Sequence, residues 1–453
     1  MEGSKKIHFH SFDAFRFFAF FKVFIFHLPL FAVTADVSFK AFFYDHIKHG
    51  GGVGVSFFFV LSGFLITYIL THEKLRTGRI NLKRFFVRRA FRIWPLFYLI
   101  VIMALLIPTD VAQSIGFHTN WGGYDPDWQF SLTFTENYKS LIMDAGPRTT
   151  PLSVFWSLCI EEHFYILWMI VFFFIRRKWI PRFLIVSVLV AVLLRSFEYQ
   201  IYNNENVSTN DLFSNLDYFA ISGLLGYLVA VNYERVANFV NSIPFAVRKL
   251  YVVFVLIVLF FQKSLFSHDI WFLNIFKHTM FSIIFAGLLL VFIPQKRNKV
   301  SEDKTALEDT PKRTQVWLHA IYAIFIGLII LNQDTIFVGG LWAVDWVKNT
   351  IVISLLASVV LLFVRQNGML KISGTNIFTR LGKISYGLYV FHLIWIHVLV
   401  KICRNYEIAI DTWAKMISFG LITLVATIGL SMLSYHFFEM PILKLRERFF
   451  PNK

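Results

Sequence analysis

Apolar stretches recur along this chain at a length that matches the thickness of a bilayer. A helix needs about 20 predominantly apolar residues to cross the hydrocarbon, with about 17–25 the usual range. Such stretches fall near 12–33, 53–71, 91–108, 155–175, 181–198, 214–231, 248–262, 276–293, 317–332, 347–364, 381–402 and 415–437, those at 248–262 and 317–332 being the weakest. No water reaches the hydrocarbon to satisfy backbone N–H and C=O groups, so these stretches are read as helices. Hydrophobic residues make up 57% of the 453 and charged residues 16%, against about 45–50% and 25% in soluble domains. A single soluble core could not hide that much apolar surface. The expected fold is all-α: a polytopic transmembrane helix bundle of about twelve spans.

Loop charge orients the bundle. Lys5 and Lys6 precede the first span, and the loop before the third carries Lys74, Arg76, Arg79, Lys83, Arg84, Arg88 and Arg89 against Glu73. Every second loop after that is basic: Arg176, Arg177, Lys178 and Arg182, then Arg235, Arg248 and Lys249, then Lys296, Arg297, Lys312 and Arg313, then Arg365, Lys371 and Arg380. The tail adds Lys444, Arg446 and Arg448. Alternate loops are neutral or acidic; 109–154 carries Asp110, Asp125, Asp127, Glu136 and Asp144 against Lys139 and Arg148. By the positive-inside rule both termini face the cytoplasm. The same alternation explains the net charge of +16 and excludes nucleic-acid binding, which needs its basic residues on one face.

The stretch 295–316 mixes six basic and four acidic residues without apolar periodicity and reads as a flexible cytoplasmic loop. The first span carries Arg16 and His27 and has no small-residue cleavage site, so it is not a signal peptide. Residues 1–453 read as one membrane domain with no internal repeat. Cys159 and Cys403 form neither a metal pattern nor a disulfide framework, and no metal is expected.

Ionisable side chains inside the spans need a reason, because each costs about 2.5–3.5 kcal/mol to insert. Asp13 and Arg16 are three apart on one helical face and can pair. His27 lies eleven residues beyond Arg16, about 16 Å along the axis. A lone histidine at that depth commonly hydrogen-bonds a neighbouring helix. Arg88 and Arg92 share a face of the third span; anchoring explains most of that basic run, but Arg92 at the start of the apolar stretch suits a buried carboxylate or a phosphate. Glu161, Glu162 and His163 are consecutive near the outer end of the fourth span, which points to a polar cavity. Arg195 and Asp217 stand at the outer ends of the fifth and sixth spans, and His392 sits mid-span. His27, Glu161, Asp217 and His392 are thereby expected in the outer half and the arginines at the inner surface. A histidine beside a carboxylate is the arrangement of an oriented general base, and arginines opposite suit an anionic donor.

Six segments in this order resemble the acyltransferase-3 family of membrane O-acyltransferases. They are Phe12-Asp13-Ala14-Phe15-Arg16 with His27; Gly54-Val55-Ser56-Phe57-Phe58-Phe59-Val60-Leu61-Ser62-Gly63-Phe64; Arg88-Arg89-Ala90-Phe91-Arg92-Ile93-Trp94-Pro95; Trp156-Ser157-Leu158-Cys159-Ile160-Glu161-Glu162-His163-Phe164-Tyr165; Leu381-Gly382-Lys383-Ile384-Ser385-Tyr386 with His392; and Ser434-Tyr435 with Glu439-Met440-Pro441. Ser56 stands where the family usually has aspartate, and His163 where glutamine is common. The family core is similar to ten spans, so a pair around 295–316 is extra. No appended hydrolase-like domain is expected.

The resemblance implies an O-acetyltransferase in a bacterial inner membrane. Acyl-CoA, as co-substrate and not as a bound cofactor, would place its phosphates on Arg16, Arg88 and Arg92. His27 would take the proton of a sugar hydroxyl on a surface glycan or lipid-linked precursor, with Glu161 orienting or charge-balancing it and Asp13 held to Arg16. Glu162, Asp217, Arg195, His392 and Ser62 would support the acceptor side. Direct transfer and an acyl-histidine intermediate both fit. The rival from another class is a twelve-span secondary transporter with His27 and the arginines as substrate or proton sites; the two halves carry no matching repeat or broken helices.

Overall fold

The computed structural model describes residues 7, 9–29, 43–48, 50–115, 117, 126–142, 151–202, 210–266, 271–293, 322, 326, 351 and 377–449. The chain opens with α1 (His10–His27), a π-helical turn (Phe43–Lys48), α2 (Gly52–Thr77) and α3 (Leu82–Leu106). Three short helices follow, α4 (Thr109–Ser114), α5 (Trp128–Leu132) and α6 (Glu136–Ile142). Then come α7 (Phe155–Phe174), α8 (Ile180–Tyr202), α9 (Leu216–Ser242), α10 (Phe245–Phe266) and α11 (Trp271–Val291). The C-terminal part holds α12 (Ile377–Lys383), α13 (Ser385–Asn405), α14 (Trp413–Ser434), a π-helical turn (Tyr435–Glu439) and α15 (Met440–Phe449).

The protein is a polytopic helical bundle, with no strand among the described residues. Ten of the twelve apolar stretches coincide with a helix; 317–332, 347–364 and the loop 295–316 lie outside the described residues but for isolated positions. Among the described residues, seven helices are long and apolar enough to cross a membrane. The helix α1 is not one of them, since its 18 residues include Asp13, Arg16 and Lys22. It is sheltered instead, with Phe12, Ala14, Phe20, Val23 and Phe24 buried in the common core.

Local chemistry sets the ends. The Asn81 side chain accepts from the Arg84 N–H at 2.9 Å and caps α3. Gly78, at φ 73°, closes α2 in the left-handed conformation that glycine adopts freely. From α2, Lys74 Nζ reaches the C-terminal carbonyls of α7, donating to Phe172 at 2.7 Å and to Ile175. A cation there complements the helix dipole.

The helix α2 is the most enclosed span and packs most extensively on α9. Small residues allow the approach: a Cβ on Gly63 would meet Ser222 and the Phe219 backbone, and one on Gly226 would meet the Phe64 carbonyl. Close backbone contact through small residues is how helices associate in lipid. The outer faces are different. Ile185, Leu189, Leu193 and Phe197 recur every four residues along α8, each more than half exposed. An apolar stripe of that length is an aggregation hazard in water and suits contact with lipid.

Candidate active site

Five helices, α1, α2, α3, α7 and α13, surround a cavity that opens to the outside of the bundle. Its lining carries three guanidiniums, Arg16 from α1 and Arg89 and Arg92 from α3, and one carboxylate, Glu161 from α7. Hydroxyls come from Ser62, Ser157, Tyr165, Ser385, Tyr386 and Tyr389, and Val55, Phe58 and Phe59 supply apolar wall.

Most of these polar groups are held. Arg16 donates to Asp13 at 2.6 Å within one turn of α1. Glu161 accepts from Ser62 at 2.7 Å and from Tyr165, one turn on, at 3.1 Å. The Arg89 guanidinium stands 5.4 Å from the Tyr165 ring centroid, in cation–π range. Tyr386 donates to the Ile93 carbonyl at 2.9 Å, tying α13 to α3. Tyr389 and Ser157 share a hydrogen bond of 2.6 Å. A Cβ on Gly382 would run into the Asp13 carbonyl, so α12 abuts the turn of α1 that presents Arg16.

The histidines stand beside this cavity rather than in its lining. His27 Nδ1 lies 3.2 Å from His392 Nε2, and their ring centroids are 5.0 Å apart. His392 Nδ1 meets the carbonyl of Tyr389, whose side chain lines the cavity. The histidine pair thus touches a residue of the cavity wall.

Several sequence expectations are revised by this geometry. Glu161 does not orient His27: its bonds go to Ser62 and Tyr165, and its cationic neighbours are Arg16 and Arg89. The cause is helical register, since Tyr165 follows Glu161 by four residues and draws the carboxylate inward, toward the arginines. Arg88 is absent from the cavity lining and Arg89 takes its place, one position round the helix; the charged neighbours of Arg88 are Arg84, Arg446, Glu73 and Glu447. Asp217 and Arg195 do not join the site. They form a buried ion pair of 2.6 Å, 0% and 2% exposed. Arg195 also donates to the carbonyls of Ile275 and Ser214 and to Thr279, so the pair fastens α8, α9 and α11 together. Glu162 is turned to α3, where it accepts from Trp94 Nε1 at 3.0 Å.

Sequence reading missed Arg89, Tyr165, Ser157, Tyr386 and Tyr389. Spacing held the signal: Arg89 and Arg92 are three apart, as are Tyr386, Tyr389 and His392, so each set shares a helical face. Of the two positions that depart from the family pattern, Ser56 donates to the Gly52 carbonyl at 3.1 Å within α2. His163 stacks on Tyr138, ring centroids 5.7 Å apart. Tyr138 belongs to the short helix α6, where burial and the neighbouring Asp211 push its phenol above the ordinary range.

A family profile described as an acyltransferase domain matches residues 9–302. The peptidoglycan O-acetyltransferase OatA of Listeria monocytogenes is 32% identical over 158 residues, which cover 32% of this chain and 24% of the relative. The O-acetyltransferase OatA of Staphylococcus aureus is 31% identical over 157 residues, again 32% of this chain and 24% of the relative. The matched region thus spans about a quarter of the length of these curated relatives. No solved structure matches the chain.

Proposed function

The chain belongs to the acyltransferase-3 family of membrane acyltransferases, and on that premise we propose that it moves an acetyl group from cytoplasmic acyl-CoA to a sugar hydroxyl of a surface glycan or its lipid-linked precursor. The observation that carries the reading is the cavity lining: Arg16, Arg89 and Arg92 face one carboxylate inside the bundle. Guanidiniums at such a site suit phosphate oxygens, which they grip in paired hydrogen bonds. Phosphates of the donor rest on the arginines, and the pantetheine arm runs past Phe58 and Tyr389 toward His27.

His27 is the proton acceptor in this scheme. The acceptor hydroxyl loses its proton to the imidazole as its oxygen attacks the thioester carbon, the C–S bond breaks, and the proton passes to the leaving sulfur. Glu161 holds the arginine cluster in place and keeps the donor's path polar. The names of the relatives favour peptidoglycan as the acceptor glycan. Family membership favours this reading over the transporter alternative, in which the same arginines and His27 would serve a translocated solute.

Vesicles carrying the protein, supplied with acetyl-labelled CoA on the cytoplasmic face, test the reading. Label is expected in the glycan fraction, and to depend on the protein. Label that stays in CoA while an unmodified solute crosses the vesicle would overturn it in favour of transport.

A further inference from the structure

The histidine pair has a direction, and the backbone sets it. His392 Nδ1 lies 2.6 Å from the Tyr389 carbonyl oxygen, and His27 Nδ1 lies 3.0 Å from the Val23 carbonyl oxygen. A carbonyl only accepts, so each Nδ1 bears the hydrogen and, in neutral imidazole, each Nε2 bears the lone pair. The contact of 3.2 Å between His27 Nδ1 and His392 Nε2 then runs one way: the single Nδ1–H of His27 is shared between the Val23 carbonyl and His392 Nε2, which accepts.

We propose that His392 is a positioning residue that, together with the Val23 carbonyl, holds the proton of His27 on Nδ1 and so makes Nε2 the atom that takes the acceptor's proton. The inference rests on the reading of His27 as proton acceptor. Burial divides the two roles. His392 is 0% exposed, with Phe20 edge-on to its ring at 5.9 Å and Tyr389 at 5.8 Å, whereas His27 is partly exposed. Substrate meets His27; His392 acts through it.

The pair also answers a question of charge. When the acceptor's O–H bond breaks, its proton moves to His27 Nε2 and its oxygen bonds the thioester carbon. The C–S bond breaks, and the sulfur takes the proton back from Nε2. Between these events His27 is an imidazolium. Among the described residues the titratable groups that act on it from neighbouring elements are Lys48 of the π-helical turn and His397 of α13, neither of them a carboxylate. Beside the Val23 carbonyl, His392 Nε2 is the side-chain acceptor at hand, and its bond to Nδ1–H becomes charge-assisted and shorter. A neutral ring here does what a carboxylate does behind the histidine of a serine hydrolase, fixing the tautomer and stabilising the charged form.

The test compares His392→Gln with His392→Phe in the full-length purified protein, alongside His392→Ala. The amide oxygen of glutamine reaches the place of Nε2 and accepts from His27; phenylalanine fills the same space and cannot accept. The Ala and Phe variants are expected to lose about 10- to 100-fold in kcat with KM for acetyl-CoA within about 2-fold of wild type, the size typical of hydrogen-bonded supports behind a metal-ligating histidine. The Gln variant is expected to recover most of kcat. Equal kcat in the Gln and Phe variants, high or low, overturns the proposal, as does a loss confined to KM. His27→Ala is measured in parallel. If it stays active the reading of His27 itself fails, and if it is inactive while His392→Phe keeps wild-type kcat, only the role of His392 fails.

Discussion

Ser62 donates a hydrogen bond of 2.7 Å to Glu161, and this contact joins α2 to α7 across the wall of the arginine-lined cavity. A hydrogen bond to a charged group is worth about 1.5–3 kcal/mol when one partner is removed. Glu161 keeps its Tyr165 bond in Ser62→Ala, so that variant is expected to fold and to lose activity moderately. Glu161→Gln removes the charge that faces Arg16 and Arg89 and is expected to impair transfer more, though less than loss of His27. Initial rates of acetyl transfer, with melting temperatures as a control, check the ranking. Ser62→Ala falling below Glu161→Gln contradicts it.

The guanidiniums are separable by position. Arg16→Ala, Arg89→Ala and Arg92→Ala are each expected to weaken acetyl-CoA binding by about 10- to 100-fold, the equivalent of one charge-assisted hydrogen bond. Arg88→Ala is expected to leave affinity close to wild type, because Arg88 is set among Arg84, Glu73, Arg446 and Glu447 and not in the cavity lining. Equilibrium binding in detergent decides the point, and a loss at Arg88 equal to that at Arg89 would place the donor elsewhere.

Close backbone packing gives a third prediction. A Cβ on Gly226 collides with the Phe64 carbonyl, and one on Gly382 with that of Asp13. Overpacking of this kind costs about 1–3 kcal/mol. Gly226→Ala is expected to lower the melting temperature with donor affinity kept in the folded fraction. Gly382→Ala displaces the turn that holds Arg16, so affinity should fall as well. Equal affinity in the two variants would mean that α12 does not position Arg16.

The buried pair formed by Arg195 and Asp217 is expected to act structurally, and a double variant tests that. Removing one member of a buried ion pair costs about 3–5 kcal/mol, while replacing both with apolar residues of similar size is often neutral. Arg195→Met or Asp217→Leu alone should destabilise the protein, and the double variant should recover both stability and transfer rate. A stable but inactive double variant would return these residues to the acceptor site.

Much of this arrangement was legible in the sequence. The helices follow from stretch length, and Asp13 with Arg16 from a spacing of three. What composition and spacing could not resolve was azimuth. Arg88 and Arg89 are neighbours in one basic run, and only the packing of α3 against α7 determines which one turns inward. Glu161 misled for a related reason: depth along α7 suggested the outer half, but its hydrogen bonds to Ser62 and Tyr165 draw it to the arginines. Likewise His27 and His392, 365 residues apart, become partners only when α1 and α13 pack together.

The central claim is that donor binding and proton handling occupy adjoining places, the arginines of the cavity and His27 beside it. Acetyl-CoA binding and acetyl transfer measured on one purified preparation of His27→Ala test it most directly. Removing a general base typically costs about 10²–10⁴ in rate, so the account predicts wild-type affinity for acetyl-CoA together with transfer lowered by that factor. Transfer at the wild-type rate by His27→Ala would contradict it.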